Sequence, residues 1–334
     1  MLYKTMIDFT ITTYKSLLIS LQKEDFTFMQ FAQYIEGKSQ NSPLIILRHD
    51  VDLLPQNSLR FAQIQADLGI KGSYYFRAVP ESWDENVIKE IASLGHEVGY
   101  HYENMDSVSE KWKVKSEKRE VPFESLKVMS EKLGDRHKLK NQISDSQLHG
   151  ITSSLLQSSE EHIDLAYQDF VLNLEKLRKL VPVFTICMHG SPRSKFDNKA
   201  IWDKYDYKAL GLIGEPYYDV DFDKVFYLTD TGRRWDGWKS SIRDKVPQQE
   251  LWNKQGLVFH TTQDIIDSIN QVKNEKRKVK NEVDSGTLNF EHGTLNFPNQ
   301  IMFTMHPQRW TNNSYLWTKE LILQNIKNVV KRFL

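Results

Sequence analysis

Residues 44–52 read LIILRHDVD. Four apolar residues run directly into Arg48, His49, Asp50 and Asp52, so a buried strand ends in a cation, an imidazole and two carboxylates. The alternation continues downstream. SLRFAQIQADLG has the spacing of a helix, GSYYFRA of a strand, DENVIKEIASLG of a helix that Gly95 closes, and HEVGYH of a third strand. Strand, helix, strand, helix, strand at this spacing implies right-handed crossovers and a parallel sheet. Later strand candidates are VPVFTICMHG, ALGLIGEP, KVFYLTD, QGLVFHTT and IMFTMHP. The class expected is α/β, a distorted (β/α) barrel of about seven to eight mostly parallel strands.

The expected organisation is one domain over residues 1–334. It opens with an amphipathic helical segment, residues 1–40, in which Lys4, Asp8 and Lys15 interrupt the apolar residues. Two polar stretches, about 107–160 and 272–299, break the alternation. Near-repeats link them: VKSEKREV at 114 resembles VKNEKRKV at 272, and GTLNF occurs at 286 and again at 293. Such matches between otherwise unlike regions mark inserted low-complexity sequence at the surface.

Charge and cysteine content narrow the function classes. Forty-four basic residues balance 44 acidic ones, which argues against nucleic acid as a partner. The single cysteine, Cys187, cannot close an internal disulfide, and no thiol cluster is available for a structural zinc. With no apolar run long enough to span a membrane and no leader-like N-terminus, the expected location is cytoplasmic. Nothing in the chain sets the oligomeric state.

In parallel α/β folds the C-terminal ends of the strands converge on one face, where ligands bind. The strand candidates here end in Asp50, Arg77, His101, His189, Asp230 and His306. Asp50 and Asp52 are two apart and point the same way in a continuing strand. Two clustered carboxylates repel each other, and a divalent metal beside them removes that cost. In isolation such a pair reads as a capping aspartate with an ion pair to Arg48. His101, on a neighbouring strand end, turns the reading towards a metal, because His and Asp are both competent ligands. VFYLTDTGRRWDGW, residues 225–238, suits a sugar: Asp230 and Arg233 for hydroxyls or an anionic group, Trp235 for an apolar ring face. The same residues also suit a tight turn held by an Asp–Arg pair. His49 points away from Arg48 and receives no role.

HDVD followed by GHEVGYH resembles the polysaccharide deacetylase family, carbohydrate esterase family 4. The resemblance covers residues 44 to about 105 best. It implies a distorted α/β barrel with a divalent metal, most simply Zn2+, and makes Asp50 the catalytic base, Asp52 a metal ligand and His101 the first metal histidine. Where the family has its second histidine, four residues on, this chain has Met105, a poor ligand in an oxygen and nitrogen site. A third ligand must come from elsewhere, from His189 or alternatively Glu103. IMFTMHPQRW resembles the family's last motif, which gives His306 the general-acid role. Arg309 and Trp310 join Arg48, Arg77, Asp230, Arg233 and Trp235 as candidate substrate contacts.

The activity implied is metal-dependent removal of an N-acyl group from a carbohydrate or amino-sugar substrate, in surface-polysaccharide or nucleotide-sugar metabolism. The alternatives are a catalytically degenerate barrel that binds glycan or regulates a partner, and hydrolysis of a non-sugar C–N amide by the same machinery.

Overall fold

The computed structural model describes residues 7–37, 43–109, 145–190, 196–236, 246–271 and 298–330, with backbone alone over 145–158. Of the two polar stretches that read as insertions, residues 110–144 and 272–297, and with them both near-repeats, fall outside the described residues.

Among the described residues seven strands form one sheet, all parallel. They are β1 (Thr27–Met29), β2 (Leu44–Val51), β3 (Ser73–Phe76), β4 (Glu97–Tyr102), β5 (Ile186–Met188), β6 (Phe226–Thr229) and β7 (Gln300–Met305). Six follow the path β5-β4-β3-β2-β7-β6, and β1 pairs with the start of β2 on the flank that β3 occupies further along. The sheet curls into a half-barrel; among the described residues β5 and β6 do not pair with each other.

The helices are α1 (Ile11–Lys23), α2 (Phe31–Ile35), α3 (Pro55–Asp67), α4 (Glu85–Ser93), α5 (Asn104–Ser107), α6 (Asp145–Arg178), α7 (Pro216–Asp219), α8 (Gln249–Lys254), α9 (262–271) and α10 (Ser314–Val330). Local chemistry sets the ends of the crossover helices. Asp84 caps α4 by accepting from the N–H groups of Asn86 and Val87, and Gly95 follows that helix at φ +84°.

Among the described residues, two expected strands are absent. ALGLIGEP holds a left-handed turn at Gly211 and contributes a single bridge, Gly214 to Thr185, before Glu215 caps α7. QGLVFHTT has no ladder partner among the described residues and packs Phe259 against Phe226. Strand β1, inside the segment expected to be helical, is an addition.

Every residue of β2 is buried, as a strand covered on both faces must be. Arg48 and Asp50 face the inside of the curl, and His49 faces the helices. There the His49 ring stacks on Tyr74, its Nδ1 donates to the Ser73 carbonyl at 3.1 Å, and its Nε2 accepts from Gln65 at 2.8 Å. Burial pulls its pKa down to about 3, so it is a neutral residue of the sheet–helix layer. On β4, Gly99 is needed for space: a Cβ there would collide with the Tyr75 ring and the Thr185 carbonyl.

Candidate metal centre

Parallel strands deliver the site residues to one end of the sheet. Asp50 lies in β2 and Asp52 just beyond it, His101 lies in β4, His189 follows β5, Asp230 follows β6 and His306 follows β7. The ligand atoms of Asp52, His101 and His189 lie within 4.8 Å of one another, a group that could hold a metal ion. The carboxylate Oδ1 of Asp52 stands 3.6 Å from Nε2 of His101 and 3.7 Å from Nε2 of His189. That oxygen is buried and, among the described residues, has no hydrogen-bond partner, an expensive state for a charged group. Its other oxygen accepts from Gln308 at 3.1 Å. Burial acts to raise the Asp52 pKa, but the surrounding His101, His306 and His189 hold it well below the usual carboxylate range.

Both imidazoles are oriented from behind. His101 donates from Nδ1 to the Cys187 carbonyl at 2.9 Å, which leaves Nε2 as the ring nitrogen that faces the carboxylates. Glu103 lies 3.0 Å from Nδ1 of His189 and takes the two-pronged fork of Arg77 at 2.9 and 2.8 Å. Arg77 also donates to the backbone carbonyl of Asp52 at 3.1 Å. Glu103 and Arg77 thus brace the group from outside; Glu103 does not belong to the ligand cluster, and the Arg77 guanidinium is engaged with protein. Replacing Glu103 by Gln removes the charge that both Arg77 and His189 face. Divalent-ion affinity should fall about 10- to 100-fold, read by competition against a chelator.

Met105 is buried in the core. Its N–H donates to Oδ1 of Asn198 at 3.0 Å, and the Asn198 amide donates to the His189 carbonyl at 3.0 Å and to Asp106 at 3.1 Å. The position where the resembled family has a histidine is therefore tied to the loop that carries His189, and imidazole reaches the centre from the end of β5.

Asp50 sits beside this group. Both its oxygens accept from Arg48, at 2.8 and 2.6 Å, and Oδ2 lies 3.7 Å from Nε2 of His101. Burial opposes ionisation, yet Arg48 and His101 outweigh it and leave the Asp50 pKa at about 2. Asp50, His101 and Cys187 form a second close group, but Asp50 is already committed to Arg48.

On the other side stands His306, with Nε2 3.8 Å from Oδ2 of Asp52. Its Nδ1 is 2.5 Å from Asp230, which is fully buried. The Asp230 carboxylate also receives the His306 N–H at 3.0 Å, Nη1 of Arg309 at 2.9 Å and Nε1 of Trp310 at 2.6 Å. Burial and Arg309 act to lower the His306 pKa; Asp230 and Asp52 together raise it above the ordinary imidazole value.

Besides Arg77, five of the expected substrate contacts have other work. Asp230 is the carboxylate of His306, and Arg48 is the buried partner of Asp50. Trp310 is buried against Phe9, and Trp235 is buried with its indole N–H on Thr262. Arg233 lies buried between Phe9 and Trp317 and donates to the Trp317 carbonyl. Arg309 is half-committed, bonded to Asp230 at the edge of the opening. Gln308 was not singled out from sequence; its place two residues after the strand-end histidine is the only signal that could have found it.

No family model matches this chain, and no curated protein or solved structure matches it. Among the described residues no helix is long and apolar enough to cross a membrane.

Proposed function

We propose that this protein is a metal-dependent hydrolase of the deacetylase type, whose half-barrel is the described part of a distorted (β/α) barrel. Its reaction removes an N-acyl group, acetyl in the simplest case, from an amino sugar of surface-polysaccharide or nucleotide-sugar metabolism. One observation carries the reading: the orphaned, buried oxygen of Asp52 faces two imidazole nitrogens between a carboxylate and a carboxylate-backed histidine.

The donor set fits a divalent ion. Asp52, His101 and His189 would hold it, and an oxygen and nitrogen set of three suits zinc with an open position. When bound, such an ion supplies Lewis acidity, acidifying water and polarising the amide carbonyl. The chain's own residues handle the protons. Asp50 is ionised at neutral pH and takes a proton from the attacking water as the C–O bond forms. His306, protonated at Nε2, gives a proton to the nitrogen as the C–N bond breaks, so the products are a carboxylate and an amine. Asp230 fixes the proton on Nδ1 and keeps Nε2 aimed at the opening.

The test joins metal analysis to turnover. Purified protein should hold one divalent ion per chain, lost to a chelator, and should release acetate from N-acetylated amino sugars only when the ion is present. No retained ion after reconstitution would move the assignment to a glycan-binding barrel. Turnover of simple amides but no amino sugar would move it to another C–N hydrolase.

A further inference from the structure

Helix α10 is built inside out. Its inner face, against the body of the protein, carries Trp317, the half-buried Leu321, Gln324 and Asn328, and its hydrogen bonds to that body run from Trp317 Nε1 to the Asp8 carbonyl at 2.7 Å and from Asn328 Nδ2 to the Gly232 carbonyl at 3.1 Å. Gln324 and Asn328 are buried. The outer face carries Tyr315, Leu316, Ile322, Leu323, Ile326 and Val329, each between 41% and 74% exposed. A helix lying on a single globular body normally has the opposite arrangement, with its apolar stripe facing the core.

We infer that this outer face is the contact between two copies of the chain, paired as antiparallel α10 helices about a two-fold axis near Ile322 and Leu323. Three observations select a second copy as the occupant. The first is spacing. Tyr315, Ile322 and Val329 recur every seven residues, as do Leu316 and Leu323, which is the repeat that keeps an apolar seam facing a partner helix. The second is self-complementarity. With the axis between Ile322 and Leu323, each of these two residues meets the other from the second copy, and Leu316 meets Val329, so the stripe closes on itself as an isologous interface requires. Lys319 lies within the stripe; parallel pairing would set it against its own copy, whereas antiparallel pairing sets its alkyl stem against Ile326.

The third is area. With ordinary side-chain areas, the exposed fractions amount to on the order of 500 Å² on one helix, the upper part of the range that monomers leave in one patch. Two copies would then bury on the order of 1,000 Å², the threshold for a specific interface. The inner face of α10 bears on the loop after β6, since Arg233 donates to the Trp317 carbonyl and Asn328 to the Gly232 carbonyl. A dimer would thus support the loop that begins with Asp230.

Sedimentation equilibrium on the full chain at micromolar concentration tests this. Wild type should show twice the mass of one chain, and the double variant Ile322→Glu, Ile326→Glu should show the mass of one, with circular dichroism unchanged. Should that variant not fold, Leu323→Cys gives the same answer. Under mild oxidation it should form a disulfide-linked dimer in high yield, while Asn325→Cys, exposed but off the stripe, should not; Cys187 is buried and does not interfere. A monomeric wild type, a dimer that survives both glutamates without Leu323→Cys cross-linking, or a monomer that instead floats with lipid vesicles through this face would each overturn the inference.

Discussion

Asp50→Asn should lower kcat about 10²- to 10⁴-fold, the range of a lost general base, while divalent-ion stoichiometry stays at the wild-type value. The two readouts separate because the roles are physically separate. Asp52, His101 and His189 are the residues that could hold the ion, and Asp50 lies next to them with both oxygens on Arg48. Asparagine keeps the shape and one acceptor for the Arg48 fork but cannot take a proton. It also leaves the buried Arg48 cation without a counter-charge, and breaking such a pair costs about 3–5 kcal/mol. Stability therefore has to be measured alongside rate. Its pH dependence gives an independent check. The Asp50 pKa is depressed to about 2, so its contribution is fully present above the ordinary aspartate value and disappears as pH falls from about 4 towards 2. Wild type should lose that increment in acid and Asp50→Asn should have none to lose. Full turnover by a metal-loaded Asp50→Asn protein would remove Asp50 from the base role.

The parts of the molecule legible in the sequence are those where local pattern and tertiary demand coincide. From β2 to β4 each strand is short, apolar and followed by a helix with its own start and stop, so period and caps sufficed. The convergence of Asp50, Asp52, His101, His189 and His306 followed from one rule, that parallel strands bring their C-terminal ends together. What stayed hidden depends on partners far away in the chain. Trp310 and Trp235 were expected at a sugar, yet Phe9 and Tyr14, some three hundred residues earlier in the case of Trp310, pack against it in an aromatic cluster that takes both indoles inside. Glu103, expected as the alternative third ligand because it is close to His101 in sequence, is paired in the structure with Arg77 across β3 and β4. ALGLIGEP and QGLVFHTT have strand composition, but Gly211 and Gly256 at positive φ break their starts and, among the described residues, no neighbouring edge pairs with the remainder beyond the Gly214 bridge. The inverted polarity of α10 was equally invisible, since an amphipathic pattern does not state which face is inside.

Asp230, expected at the substrate, is placed instead against His306, Arg309 and Trp310, and that placement yields the second large prediction. Asp230→Asn should reduce kcat about 10²- to 10⁴-fold and move the alkaline limb of its pH profile to lower pH. His306 must be protonated to act as the acid, so activity is present below its pKa and lost as pH rises through it. Burial and Arg309 push that pKa down; Asp230, with Asp52, lifts it above the ordinary value. An amide in place of the carboxylate withdraws the lift and presents an NH2 to the Nδ1–H of His306 and the indole N–H of Trp310. The fold should suffer too, since a fully buried carboxylate with four donors is being neutralised beside Arg309. A purely structural role is separated by Trp310→Phe, which removes one donor and leaves the charge. That variant should lose stability with the alkaline limb in place. If Asp230→Asn lowers kcat with an unmoved limb, the proton given to the leaving nitrogen does not come from His306, and the carboxylate behind it serves only to hold β6 against β7.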